Sequence, residues 1–276
     1  MRRLLAVLSL LAASCAHVCT SDSFMAGPAG SLHISDCGRG AALPVVFVHG
    51  NGANLTQWQA QLDHLRRSRR AVAIDLRGMG KSAVPASGDY SVEAMAADVG
   101  AVVDALHMTR FVIVGHSYGG AVVAAYAAAH PDRVAGVVFA DSAGNVTIPK
   151  EAGERFVAAL HKDKEAVVKS WFAPILANAS DAVRNAVLSS VHATPVDAFA
   201  GVLVGLAGHD VGADLHAYQG PRLAIITASL AANPSSFHSQ FPEVPSRTID
   251  GVSHWLMMDK PDEFNRILDE FLATAH

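Results

Sequence analysis

The chain has 276 residues, 51% of them apolar and 17% charged, with a net charge of −4. That length lies between one and two domains of roughly 150 residues, and the apolar share excludes a disordered protein. Mild acidity, with no basic run beyond Arg66, Arg67, Arg69 and Arg70, argues against nucleic acid as a partner.

The N-terminus reads as an export leader. Met1-Arg2-Arg3 is positive, and the apolar stretch Leu4 to Ala13 is too short to span a bilayer. Two processing readings compete. Small residues at Ser14 and Ala16 suit a cut after Ala16, which makes residues 1–16 a signal peptide. Leu11-Ala12-Ala13-Ser14-Cys15 also resembles a lipoprotein box, with Ala12 where Leu or Val is usual and Cys15 as the lipid-bearing residue. The mature protein is expected to be secreted or periplasmic, or else a membrane-tethered lipoprotein. No later segment reaches spanning length without a charge or a turn.

Around the turn Gly27-Pro28-Ala29-Gly30, strands at Ser21–Met25 and Ser31–Asp36 pair as a hairpin. Cys19 and Cys37 are equidistant from Pro28, so a disulfide across the hairpin competes with two free thiols. Sequons start at Asn54, Asn145 and Asn178, and they carry little weight behind a leader of bacterial type.

Next comes Leu43–Val48, an apolar run that ends at His49-Gly50. Such runs, bounded by turn residues, are strands buried on both faces of a parallel sheet. The pattern recurs at Ala71–Ile74, Phe111–Val114, Val134–Ala140 and Leu223–Ala228, with an apolar-polar stretch at Ser246–Asp250. Helices separate these runs. Ser91 caps one through Leu106, another covers Tyr118 to His130, and Asp259-Lys260-Pro261 opens the last. Strands alternating with helices predict an α/β sheet.

Between Gly144 and about Tyr218 the alternation stops. Helical patterns occupy Lys150–Lys162, Glu165–Leu176, Asp181–Ser190 and Pro195–Leu206, with Pro174 expected to bend the second. The expected division is a core of residues 21–145 and 216–276, with a helical cap at 146–215.

Gly115-His116-Ser117-Tyr118-Gly119-Gly120 stands between a strand and an Ala-rich helix, the context of a G-x-S-x-G nucleophile elbow. A strand that turns at once into a helix needs glycines on either side of the turn, and it presents the central residue at the sheet edge. Ser117 is therefore the candidate nucleophile. His254, in Gly251-Val252-Ser253-His254-Trp255 before the last helix, is the candidate general base. Among the other histidines, His64, His107, His130, His161 and His276 read as solvated, and His49 as a structural hydrogen-bonder. His116 is expected to turn aside from the serine.

With His49-Gly50-Asn51-Gly52 and Asp75-Leu76-Arg77-Gly78-Met79-Gly80-Lys81-Ser82 added, the chain resembles the α/β-hydrolase fold from about Ser21 to its end. The second block is similar to the family's D-x-R-G-x-G-x-S loop, with Met79 where His is common. The resemblance implies a serine hydrolase of carboxylesterase type, with backbone N–H groups of Asn51 and Tyr118 as the oxyanion hole. It implies a small-molecule ester as substrate and no cofactor. No H-E-x-x-H or cysteine cluster suggests a metal.

The third triad member departs from the common pattern. The stretch after Leu223–Ala228 is Ser229-Leu230-Ala231-Ala232-Asn233-Pro234, without an acid. Some branches of the family place the acid one strand earlier, where Asp141 stands. Asp210 at the end of the cap and a histidine without a carboxylate are the alternatives. Two functional alternatives follow as well: a binding protein that kept the fold, and a perhydrolase or lyase using the same serine.

Overall fold

The computed structural model describes residues 20–231 and 236–275. The predicted leader with Cys15, Cys19, His276 and residues 232–235 lie outside the described residues.

Strands β1 (Thr20–Gly27), β2 (Gly30–Cys37), β3 (Val45–Val48), β4 (Ala71–Ile74), β5 (Phe111–His116), β6 (Val134–Ala140), β7 (Arg222–Thr227) and β8 (Ser246–Ile249) form one sheet. Its order is β1-β2-β4-β3-β5-β6-β7-β8. The β1–β2 and β2–β4 pairs are antiparallel, and every pair from β4 to β8 is parallel. The hairpin expected at the N-terminal end is present, with Gly27 opposite Gly30. Cys37 at its end is disulfide-bonded.

The strand residues point alternately to two cores, as the pleat requires. Val46, Val48, Val72, Ile74, Ile113 and Phe139 belong to one buried cluster. Val45, Phe47, Ala71, Ala73, Val112 and Val114 belong to the other. Both faces are covered, and for that reason the strands read as unbroken apolar runs. Helices α1 (Gln59–Leu65), α2 (Val92–Ala105) and α3 (Tyr118–Ala129) supply part of the cover. Ser91 caps α2, its side chain accepting from the Ala94 N–H, as the sequence predicts.

Between β6 and β7 come α4 (Lys150–Lys162), α5 (Lys164–Ile175), α6 (Asp181–Ala193), α7 (Val196–Ala207) and α8 (Val211–Ala217). Four were expected; α8 is additional, and Asp210 caps it by accepting from the Ala213 N–H. Pro174, expected to bend this helix, stands in the last turn of α5, which ends one residue later. Short helices α9 (Ala228–Ala231), α10 (Phe237–Gln240) and α11 (Leu256–Asp259) precede the final α12 (Pro261–Leu272). Among the described residues no single helix is long and apolar enough to cross a membrane. All three sequon amides are engaged: Asn54 with Ser190 Oγ, Asn145 with Asp210, and Asn178 with the Val252 carbonyl.

Candidate active site

Ser117 joins β5 to α3 with φ 53° and ψ −120°, a sparsely populated conformation that costs of order 1–3 kcal/mol. The surroundings hold it there. Its N–H donates to the Ala140 carbonyl at 3.0 Å, and its own carbonyl accepts from Gly120 at 3.0 Å. The glycines are required for space rather than for φ. A Cβ on Gly115 would lie 2.3 Å from the Gly119 carbonyl oxygen, and one on Gly119 2.5 Å from that of His49. Any side chain at either position would push the elbow open.

His254 lies on the loop between β8 and α11, and its Nδ1 is 2.7 Å from Oδ2 of Asp141. Asp141 follows β6 at φ 45°, and its side chain is wholly buried. Its other oxygen accepts from the Thr227 N–H at 2.9 Å, at the end of the neighbouring parallel strand β7. With the carboxylate fixed as an acceptor, Nδ1 of His254 carries the proton. Its Nε2 is left with a lone pair. The structure thus brings Asp141 to His254. Asp210 is engaged instead at the head of α8 and with Asn145.

The histidine's main chain is held from several sides. Its N–H donates to the Ile175 carbonyl of α5 at 3.0 Å. Its carbonyl accepts from His116 Nε2 at 2.9 Å. Ser253 is tied to Asp259 through both N–H and Oγ, at 2.8 and 2.5 Å. Asn178 Nδ2 donates to Val252 at 3.3 Å, and Trp255 Nε1 to Gln57 at 3.2 Å. None of these supports was anticipated from the sequence. His116 does turn aside from the serine, and it does so to brace the base. Burial first, and then the nearby His254, holds its pKa well below the usual imidazole value, so it is a neutral donor.

His49 has the structural role expected of it. Nε2 accepts from the Leu76 N–H at 3.0 Å, and Nδ1–H donates to the Gly50 carbonyl at 2.7 Å. Burial lowers its pKa against the opposing charge of Asp75. The Asp75–Ser82 loop is structural too. Asp75 accepts from the Leu55 and Lys81 N–H groups, and Arg77 makes a two-pronged contact with buried Asp98. His64 and His161 sit at the surface, each beside an aspartate.

Ser117, His254, Asn51 and Tyr118 line one cavity of about 1050 Å³ between the sheet edge and the helices inserted after β6. Tyr118 is the first residue of α3, where a helix leaves its N–H groups without carbonyl partners. The positive end of the same helix favours negative charge there. Asn51 lies in the loop after β3, whose close approach to the elbow depends on Gly50. A Cβ there would lie 3.0 Å from Ser117 Cβ. The candidate nucleophile, the candidate base and both candidate oxyanion donors therefore line one cavity. Among the described residues no three His, Cys, Asp or Glu side chains gather as metal ligands.

A family model described as the alpha/beta hydrolase fold matches residues 44–199. A 2-hydroxymuconate semialdehyde hydrolase of Pseudomonas sp. (strain CF600) is 36% identical over 131 residues, 46% of this chain and 44% of that protein. The aligned part thus spans less than half of that relative's length. An sn-1-specific diacylglycerol lipase of Mus musculus is 27% identical across 84% of this chain and 82% of its own. Among solved structures, a thermophilic esterase from Thermogutta terrifontis superposes with a TM-score of 0.80 at 24% identity. That match covers 93% of this chain and 100% of the esterase, a likeness of fold.

Proposed function

The chain belongs to the α/β hydrolase fold family, and from that premise we propose that it hydrolyses carboxylic esters through an acyl-enzyme on Ser117. The observation that carries this reading is that His254, paired with the buried Asp141, lines the same cavity as the strained serine. Ser117 Oγ attacks the ester carbonyl carbon as His254 Nε2 takes its proton. The carbonyl oxygen becomes an oxyanion facing the N–H groups of Asn51 and Tyr118. Collapse breaks the bond to the alkoxy group, which leaves as alcohol with the proton from His254. Water then attacks the acyl-enzyme by the same route, releasing the acid and restoring Ser117.

The curated relatives named above include a hydrolase and a lipase, in keeping with hydrolytic chemistry. The contact between Asp141 and His254 supports the hydrolase reading over a binding protein of the same fold, since a carboxylate partner for the base is present. The test is a fluorophosphonate probe with the adduct located by mass spectrometry. Rapid, heat-sensitive labelling of Ser117 is expected, with loss of essentially all ester hydrolysis in a folded Ser117→Ala variant. An active Ser117→Ala enzyme would overturn the reading.

A further inference from the structure

Resting on the ester-hydrolase reading, we propose that the substrate is an uncharged ester carrying a long or bulky hydrocarbon group, which the cavity over Ser117 encloses. At about 1050 Å³ the cavity stands at the upper end of the range for drug-sized ligands, far more than an acetyl group occupies.

An aromatic wall runs from solvent to the base. Trp171 of α5 is 40% exposed at the mouth. It meets Phe156 edge-on at 5.2 Å and Phe199 at 5.8 Å. Phe199 lies 6.2 Å from Phe172, which stacks on Trp255 at 5.8 Å, next to His254. Ile148 and Leu203 add aliphatic lining. Such a surface gains free energy chiefly from hydrocarbon and aromatic groups taken out of water.

Apart from Ser117, His254 and the exposed Lys150 and Trp171, the side-chain donors lining the cavity are already engaged, and the buried atoms left without a partner, Asn51 Oδ1 and His116 Nδ1, are acceptors that cannot pair with a carboxylate. Asn51 Nδ2 donates to the Phe199 carbonyl at 2.9 Å, Tyr118 Oη to that of Tyr90 at 3.1 Å, and His116 Nε2 to that of His254. Lys150 and Glu154 are the lining side chains that bear full charge, both on α4. They are 83% and 66% exposed and lie 3.9 Å from each other, a solvated pair of opposite charge. A carboxylate on the substrate would enter without a partner, at a heavy desolvation cost.

Gly153 offers a way to change the volume. It lines the cavity within α4, and a Cβ there would meet only Ile148 Cγ2, at 3.7 Å. A side chain at this position has room to grow into the empty space.

The experiment measures kcat/KM for two neutral series, p-nitrophenyl esters from acetate to dodecanoate and alkyl acetates from methyl to decyl. In at least one series it should rise by up to about fourfold per methylene, the factor for full burial of a CH₂ group, until the cavity is filled. Replacing the terminal methyl of p-nitrophenyl hexanoate by a carboxylate should cost at least about a hundredfold. Gly153→Phe should lower the decanoate-to-acetate ratio tenfold or more. Two flat series, or undiminished use of the carboxylated ester, with Ser117 still labelled by the fluorophosphonate, would overturn this substrate class and leave the hydrolase reading standing. Absence of labelling in the folded wild-type protein would overturn both.

Discussion

Asp141 is fixed by what surrounds its two oxygens. One accepts from the Thr227 N–H, and the other faces Nδ1 of His254. In Asp141→Asn the amide oxygen must stay on the Thr227 side, because only an acceptor satisfies that N–H. The amide nitrogen then points at His254 and forces Nδ1 to accept, which moves the ring proton to Nε2. The base is lost while the geometry survives. The expected result is a fall in kcat of about a thousandfold or more with little change in melting temperature. Steady-state kinetics beside thermal denaturation check it; near-normal kcat would remove Asp141 from the machinery. Ser117 and His254 were legible because each carries its own local context, an elbow motif and a loop before a terminal helix. Asp141 has no such context. Its candidacy came from the resemblance and from its place at a strand end, and its contact depends on β6 lying beside β7. The carbonyl of Ile175 has no signal at all, since a main-chain acceptor is indifferent to its side chain.

Elements are legible in the sequence wherever one physical rule governs them. Buried parallel strands appear as apolar runs, and Ser91 and Pro261 mark helix starts through capping and fixed φ. The segment α8 escaped notice because its seven residues are too few to show a helical period. Its attachment was equally hidden. His209, before α8, contacts Glu93 of α2 at 2.8 Å and Asp214 of α8 at 2.6 Å. Its side chain is 7% exposed. Burial opposes its charged form, but the two carboxylates outweigh burial and raise its pKa above the ordinary 6.5. A raised native pKa contributes stability that is complete below about 6.5 and fades as pH climbs through the raised value. His209→Ala should therefore cost roughly 1–2 kcal/mol near pH 6 and distinctly less near pH 9. Denaturant melts of both proteins at the two pH values decide it. An equal deficit at both would mean that packing, not charge, joins α8 to α2.

Across the whole molecule, the helices inserted after β6 do more than roof the cavity. They hold the loops of the candidate site through main-chain and asparagine side-chain hydrogen bonds. The Ile175 carbonyl takes the His254 N–H, Asn178 holds Val252, and Asn51 beside the elbow reaches the Phe199 carbonyl of α7. From the opposite side His116 grips the His254 carbonyl, so the base is suspended between sheet and insert. These hydrogen bonds predict that the insert and His254 move together, so that a substrate resting against α5 would bear on the His254 loop. Asn178→Ala tests the coupling without touching a reacting group. Loss of one such hydrogen bond, worth about 1 kcal/mol, should lower kcat by roughly fivefold and leave KM for a short ester near its original value. The amide of His254 should exchange with solvent faster in the variant, and the C-terminal turn of α5 should follow it. If α5 loosens while the His254 amide stays as protected as before, the base is held by the sheet alone. The insert would then be a roof and nothing more.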